Sequence, residues 1–339
     1  MRTLVRLALV AGLLTPAIAA APPQQGKNPA APPPWAYGFT TPVDAASSKP
    51  AALQPFSPAQ DDGTIRHLPG SNFSFTRTQI QNIFSPADWY PGDHPQMPEV
   101  VAHGRQPDVR ACSMCHYPNG KGRPENAGIA GLPYTYFVHT MNDFKNGARK
   151  SSDERKPNTY LMIGFAQSMS DDEIAAAARY FSSMQWTPWI TVVETATVPK
   201  THIGGGMFLR LEGDEKEPIG QRIIETPVNT EATEILRDPR SGFLAYVPVG
   251  SLKKGEELAV RGGAGKTTRC GVCHGEDLKG LGPVPGIAGR SPSYLMRQLV
   301  DMQQGTRKGE WSSLMKPVLS GLTYDDLLAV VAYAASREP

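Results

Sequence analysis

Apolar positions take helical spacing in two stretches that echo each other. Ile174, Ala177, Ala178 and Phe181 share one helical face, and so do Leu327, Val330, Val331 and Ala334. Each run starts at a capping signal: Ser170-Asp171-Asp172-Glu173 in the first, and the weaker Thr323-Tyr324-Asp325-Asp326 in the second. A middle helix is predicted ahead of each, around 134–146 and 292–304, and a shorter helix earlier still. Such stripes predict helix-on-helix core. Between 187 and 250 the pattern shifts to β-formers, with short strands expected at 190–193, 207–211, 223–224 and 243–247. Gly204-Gly205-Gly206 and proline-containing turns separate them. That stretch reads as a structural brace without a catalytic constellation.

The first hundred residues differ again. Arg2 and Arg6 precede an apolar run at 7–14, then Ala17-Ile18-Ala19 and Ala19-Ala20-Ala21 offer small-x-small cleavage sites. The run stops at Pro16, too short for a comfortable membrane span. Residues 1–21 are therefore expected to be a signal peptide cleaved after Ala19 or Ala21, which implies export to the periplasm. Residues 22–60 hold ten prolines among many alanines. This predicts a disordered Pro/Ala-rich tether over 22–65, because so little apolar surface cannot offset chain entropy. Phe73, Phe75, Ile80, Ile83, Phe84, Trp89 and Tyr90 make 66–97 a lead-in segment expected to pack onto a domain.

Lys+Arg total 34 against 32 Asp+Glu, a net charge of +2. That balance excludes the strongly basic face of a nucleic-acid binder. No apolar stretch of about 20 residues follows the N-terminus, which excludes several membrane spans; peripheral association stays open.

The four cysteines are Cys112, Cys115, Cys270 and Cys273, in Cys112-Ser113-Met114-Cys115-His116 and Cys270-Gly271-Val272-Cys273-His274. In CxxCH, two thiols reach the two vinyl groups of one haem as thioethers, and the adjacent histidine lies beneath the iron as proximal ligand. A redox dithiol or half a zinc site would use CxxC, but the following histidines and the total use of cysteine leave those readings little room. The motifs sit in an internal repeat at an offset of 158. It takes Gly128-Ile129-Ala130-Gly131 to Gly286-Ile287-Ala288-Gly289, Tyr136 to Tyr294, and Arg149-Lys150 to Arg307-Lys308. Past 150 the offset drops to 153, aligning Leu161-Met162 with Leu314-Met315 and Tyr180 with Tyr333.

A haem iron with one histidine needs a second axial ligand or an open site. Met162 and Met315 are the candidates. They are the only methionines after the motifs that match under the repeat, each eight residues before its cap and each expected in a loop. Met169 faces Leu322 in the repeat and Met141 faces Leu299, so both read as core. His139 faces Arg297 and reads as a surface histidine; His67, His94, His103 and His202 lie outside the repeated units.

With these motifs the chain resembles the class I cytochromes c, in particular the tandem two-haem periplasmic kind, over about 98–186 and 251–337. The resemblance implies a mainly α fold: two cytochrome c-like helical haem domains in tandem, 98–186 and 251–339, around the strand-rich connector 187–250. It implies two covalently bound haem c groups, with His116 and Met162 on the first iron and His274 and Met315 on the second. The family often has a proline whose carbonyl accepts the proximal histidine N–H. Pro285 matches, but Ala127 stands there in the first copy, where any backbone carbonyl would serve. The long connector is the larger departure.

The expected function is single-electron transfer between redox proteins (a dehydrogenase, an oxidase or another cytochrome), as a shuttle or as a complex's cytochrome subunit, and not catalysis. The alternative is a di-haem enzyme, a peroxidase or sulfur-compound dehydrogenase, with one open or labile haem site. Basic residues near the haem loops (Lys121, Arg123, Arg149, Lys150, Lys266, Arg269, Lys279, Arg307 and Lys308) are weak candidates for haem propionates or partner steering.

Overall fold

The computed structural model describes residues 31–43 and 60–339. The expected signal peptide lies outside them, as does most of the Pro/Ala-rich stretch.

The first helical unit contains helices Glu99–Ala102, Cys112–His116, Tyr134–Lys145, Pro157–Ser168 and Asp171–Ser182. Ser170 and Glu173 form a full capping box, so two orphan N–H groups at the start of the closing helix are satisfied reciprocally. Its buried face carries Ile174, Ala177, Ala178, Tyr180 and Phe181, packed with Phe137, Met141 and Phe144 of the middle helix. The second unit repeats the plan with Ser251–Arg261, Gly271–His274, Pro292–Gln303, Met315–Leu319 and Tyr324–Ala335. Here the weaker capping signal is also a complete box, Asp326 taking the place of glutamate. The Asp326 carboxylate also pairs with Lys254 (3.0 Å) and Lys266. Helix Ser251–Arg261 crosses the closing helix at Gly255, where an added Cβ would lie 2.1 Å from the Ala329 carbonyl oxygen.

The loops repeat in detail. Ile129 and Ala130 N–H groups both donate to the Gly120 carbonyl; Ile287 and Ala288 both donate to that of Leu278. Gly131 N–H caps the closing helix at Phe181 O, and Gly289 does so at Ala334 O. Gly120 has φ +70 and its equivalent Leu278 φ +63, so the second copy holds a leucine in a conformation that favours glycine.

The two units meet back to back through equivalent residues. Lys150 N–H donates to Thr306 O and Lys308 N–H to Ala148 O, both at 2.8 Å, around an antiparallel bridge between Arg149 and Arg307. Arg149 Nη2 donates to Tyr294 Oη, and Arg307 Nη2 to Tyr136 Oη, each at 2.9 Å. Each contact is the other's counterpart under the repeat.

The N-terminal segment requires a correction. Residues Pro34–Tyr37 form a helical turn whose Trp35, Ala36 and Tyr37 are buried in the core of the second unit. Tyr37 Oη donates to Asp301 Oδ1 (2.7 Å), and Arg297 Nη1 donates to Ala36 O (2.6 Å). The expected disorder of 22–65 thus fails at this turn. Proline density argued for a tether, but Pro34 at the first helical position pre-sets φ, and two large aromatic side chains beside it supply the apolar area.

The connector is built from Ile190–Glu194, Thr197–Pro199, Thr201–Gly204, Met207–Arg210, Lys216–Pro218, Ile224–Pro227 and Phe243–Val247. The first pairs in parallel with Phe243–Val247, which pairs antiparallel with Ile224–Pro227. Two further hairpin-like pairs flank this sheet. Three of these strands, Thr197–Pro199, Thr201–Gly204 and Lys216–Pro218, are too short, at three or four residues, to show a period-2 pattern.

Within the lead-in segment, Leu68, Ile80, Trp89 and Tyr90 form their own small core. His94 Nε2 lies 3.1 Å from Asp88 Oδ2 and its ring meets Tyr180 edge-on. Burial opposes the charged imidazole, but the hydrogen bond to Asp88, the Pro95 carbonyl and the Asp88 and Asp93 charges outweigh it and raise the pKa. A raised histidine pKa stabilises the fold fully below the unfolded value of about 6.5, and that stability is lost as pH rises through the folded value. The unfolding free energy from urea titration is therefore expected to fall above pH 6.5, by under about 1 kcal/mol since the pair is partly solvated. Asp88→Asn should flatten this slope. An unchanged slope in that variant would assign the effect to another group.

Candidate haem sites

Each CxxCH motif forms a short helical turn, Cys112–His116 and Gly271–His274, held by the loop that follows it. His116 Nδ1 lies 2.8 Å from the Ala127 carbonyl oxygen, and His274 Nδ1 lies 2.8 Å from that of Pro285. The alanine at position 127 thus keeps the same contact, because the acceptor is backbone. An Nδ1–H donated to a carbonyl leaves Nε2 as the lone-pair nitrogen. Burial lowers the pKa of both rings, which favours the neutral imidazole a metal needs. Burial also pushes the Cys112 thiol up to about 12 and the Cys270 thiol up to about 11. Such thiols are poor thiolates, which argues against a redox dithiol. Among the described residues there is no cluster of three or more His, Cys, Asp or Glu able to hold a bare metal ion.

The first motif lines an open cleft. Cys112, Cys115 and His116 share it with Leu161, Met162 and Phe165, and with the apolar Phe137, Met141, Phe144 and Phe181. Met162 is not in the expected loop. It sits in the middle of helix Pro157–Ser168, which starts on Pro157 and carries apolar residues on all sides. With no amphipathic stripe to announce it, this helix was invisible to periodicity. Met141 and Met169 also line the cleft as buried side chains, consistent with their core reading. In the second unit Met315 begins helix Met315–Leu319, again not a loop, and borders the same apolar cluster as Cys270.

The lining of the first cleft also carries charge of both signs, the carboxylates Glu125 and Asp301 among several basic residues. Arg149, Lys156 and Arg297 line it, all with little exposure. Burial, reinforced by Arg297, pushes the Lys156 ammonium down to about 7. A haem brings two propionate carboxylates, and an apolar cleft with Arg149, Lys150, Lys156 and Arg297 in its lining suits such a group. Arg149 was singled out from sequence; Lys156 and Arg297 were not. Their signal was present as mismatch: Arg297 faces His139 in the repeat. His139 itself is exposed and stacks on Trp311 of the other unit at 4.3 Å. Lys150, another basic candidate, also lines this cleft, whereas Arg123 pairs with Glu125 and Glu234, Lys266 with Asp326, and Arg269 with Glu276.

The two attachment turns differ in exposure. In the first, Ser113 and Tyr117 are buried, and the connector lies across the turn. Arg237 donates to Met114 O and stands over the Tyr117 ring, while Asn119 Nδ2 donates to Pro239 O at 3.0 Å. The lead-in segment locks this cover, Trp89 Nε1 donating to Leu236 O and Arg240 pairing with Asp93, both at 2.7 Å. In the second, no residue of the turn is buried. Cys273 is exposed, with Val272 at 57% and Leu281 at 60% exposure beside it.

The family model for cytochrome c matches residues 101–185. A cytochrome c4 of Azotobacter vinelandii is 36% identical over 235 residues, covering 67% of this chain and 85% of that protein. A thiosulfate dehydrogenase electron acceptor of Thiomonas intermedia is 25% identical over 237 residues, 68% of this chain and 80% of that protein. The structure of reduced recombinant cytochrome c4 from Pseudomonas stutzeri superposes with a TM-score of 0.44 at 20% identity, covering 67% of this chain and 93% of that one.

Proposed function

Because the chain belongs to the di-haem class I cytochromes c and carries two covalently bound haem c groups, we propose that it is an exported tandem cytochrome exchanging electrons with a dehydrogenase-type partner through its second haem unit. Haem supplies the one-electron Fe(III)/Fe(II) couple. In this reading the haem domains are 98–186 and 251–339, joined by the connector 187–250. Cys112, Cys115, Cys270 and Cys273 hold the thioethers. His116 and His274 are the proximal ligands, oriented by the Ala127 and Pro285 carbonyls. Met162 and Met315 fill the sixth positions, which excludes small ligands and favours the reduced iron. The dehydrogenase-type partner is supported by the likeness to the thiosulfate dehydrogenase electron acceptor. Among the described residues no single helix is long and apolar enough to cross a membrane.

One observation carries the choice of port: the first attachment turn is covered by connector and lead-in, whereas the second stands bare around Val272 and Leu281. Electron transfer needs close approach, and an apolar patch beside a haem edge desolvates readily against a partner. Val272→Asp is expected to slow reduction of the holoprotein by its dehydrogenase at least tenfold, with both haems still attached. Met114→Asp, at the covered turn, makes a poor comparison because it disturbs the cover. Lys121→Glu, on the first unit's surface, should change the rate far less than Val272→Asp. Equal rates in wild type and Val272→Asp would remove the second unit as the port.

A further inference from the structure

Arg290 lies immediately after the repeated Gly-Ile-Ala-Gly loop of the second unit, where the first unit has Leu132. Its guanidinium is spent entirely on the two haem loops. Nε donates to Gly286 O at 2.7 Å, Nη1 to Gly128 O at 2.8 Å and Nη2 to Ala130 O at 3.0 Å. Gly286 follows Pro285 and Gly128 follows Ala127, the two residues whose carbonyls accept the proximal histidines. One buried cation therefore stands one peptide and two hydrogen bonds from each imidazole. The Trp186 ring, 4.5 Å away, covers the guanidinium and donates to Gly289 O.

We infer that Arg290 is a shared positioning residue that raises the potentials of both haems together. The inference rests on His116 and His274 being the proximal ligands. A fixed positive charge in a low-dielectric site disfavours the extra positive charge of Fe(III) at either centre. Its three carbonyl acceptors hold it equidistant in bonding terms from both rings, so its effect crosses the boundary between units. Burial lowers the guanidinium pKa only to about 10, which leaves it charged at neutral pH.

The test is a spectroelectrochemical titration of the two-haem holoprotein and of two variants. Arg290→Gln removes the charge and keeps amide donors. It is expected to lower both midpoint potentials, by about a tenfold change in each Fe(II)/Fe(III) ratio, or about 59 mV for a one-electron couple. Arg290→Lys keeps the charge and shortens the clasp, and should hold both potentials near wild type. A shift confined to the second haem, no shift at all in Arg290→Gln, or an equal fall in Arg290→Lys would each overturn the inference. Should Arg290→Gln not mature, the lysine variant decides alone: a fall in either potential refutes the charge effect. Haem count and low-spin spectrum of His116→Gly and His274→Gly, taken alongside, separate a wrong ligand assignment from a wrong role for Arg290. A wrong assignment would leave those variants low-spin.

Discussion

Met162→Ala and Met315→Ala are each expected to yield a protein with two covalently attached haems, one of which binds carbon monoxide when reduced. Thioether attachment depends on the cysteines, not on the sixth ligand, so the haem count stays at two. The midpoint potential of the altered haem should fall by about 120 mV or more, a hundredfold in the Fe(II)/Fe(III) ratio at about 59 mV per tenfold, because thioether ligation favours the reduced iron. The wild type should bind no carbon monoxide. The measurement is a carbon monoxide difference spectrum with haem quantified per chain. Carbon monoxide binding by the unmodified protein would revive the reading of a di-haem enzyme with a labile site. Unchanged spectra and potentials in both variants would move the sixth ligand elsewhere, and Met141 and Met169, which line the same first cleft, would be the next residues to replace.

Gly255→Ala should destabilise the second unit by about 2 kcal/mol, a large share of a typical domain stability of about 5–15 kcal/mol. Two effects compete. Alanine in a helix interior gains about 1 kcal/mol over glycine. Against it, the new Cβ would lie 2.1 Å from Ala329 O and 2.6 Å from Tyr333 Cβ. Backbone cannot yield like a side-chain tip, so the helices must separate, and overpacking of this kind costs about 1–3 kcal/mol or more. The control is Gly164→Ala, also in a helix but with open space around the Cβ position. It should stabilise by up to about 1 kcal/mol. Thermal unfolding of both holoproteins checks the pair: a rise in midpoint for both would mean that the crossing at Gly255 is looser than these distances imply.

What was legible in the sequence had local causes. The middle and closing helices follow from apolar spacing and caps, and the Phe243–Val247 strand from β-branched and aromatic alternation. The haem-binding turns follow from CxxCH itself. Contacts between distant segments were not legible. The Trp35–Tyr37 turn lies in a proline-rich stretch, and only its burial under the second unit gives it structure. Helix Pro157–Ser168 carries Tyr160, Leu161, Met162, Ile163 and Phe165 in a nearly unbroken run, so no apolar stripe marks it. Arg290 and Arg297 act across the boundary between units, and no window on one unit can show that. Two of the many positions at which the copies differ matter here: Arg290 stands opposite Leu132 and Arg297 opposite His139, and both arginines lie where the copies touch.

The back-to-back pairing of 148–150 with 306–308 has the form of a homodimer contact, in which each surface binds its own copy. In a true homodimer every substitution appears twice, so one subunit cannot gain a buried arginine at the shared face without the other gaining it too. Fusion removes that constraint. Once two copies share a chain, the linker supplies the effective concentration that holds them together, and the halves can diverge at their common face. A cation on one side and a leucine on the other, like a cover over one haem and not its twin, are available to a fused pair and forbidden to a symmetric one.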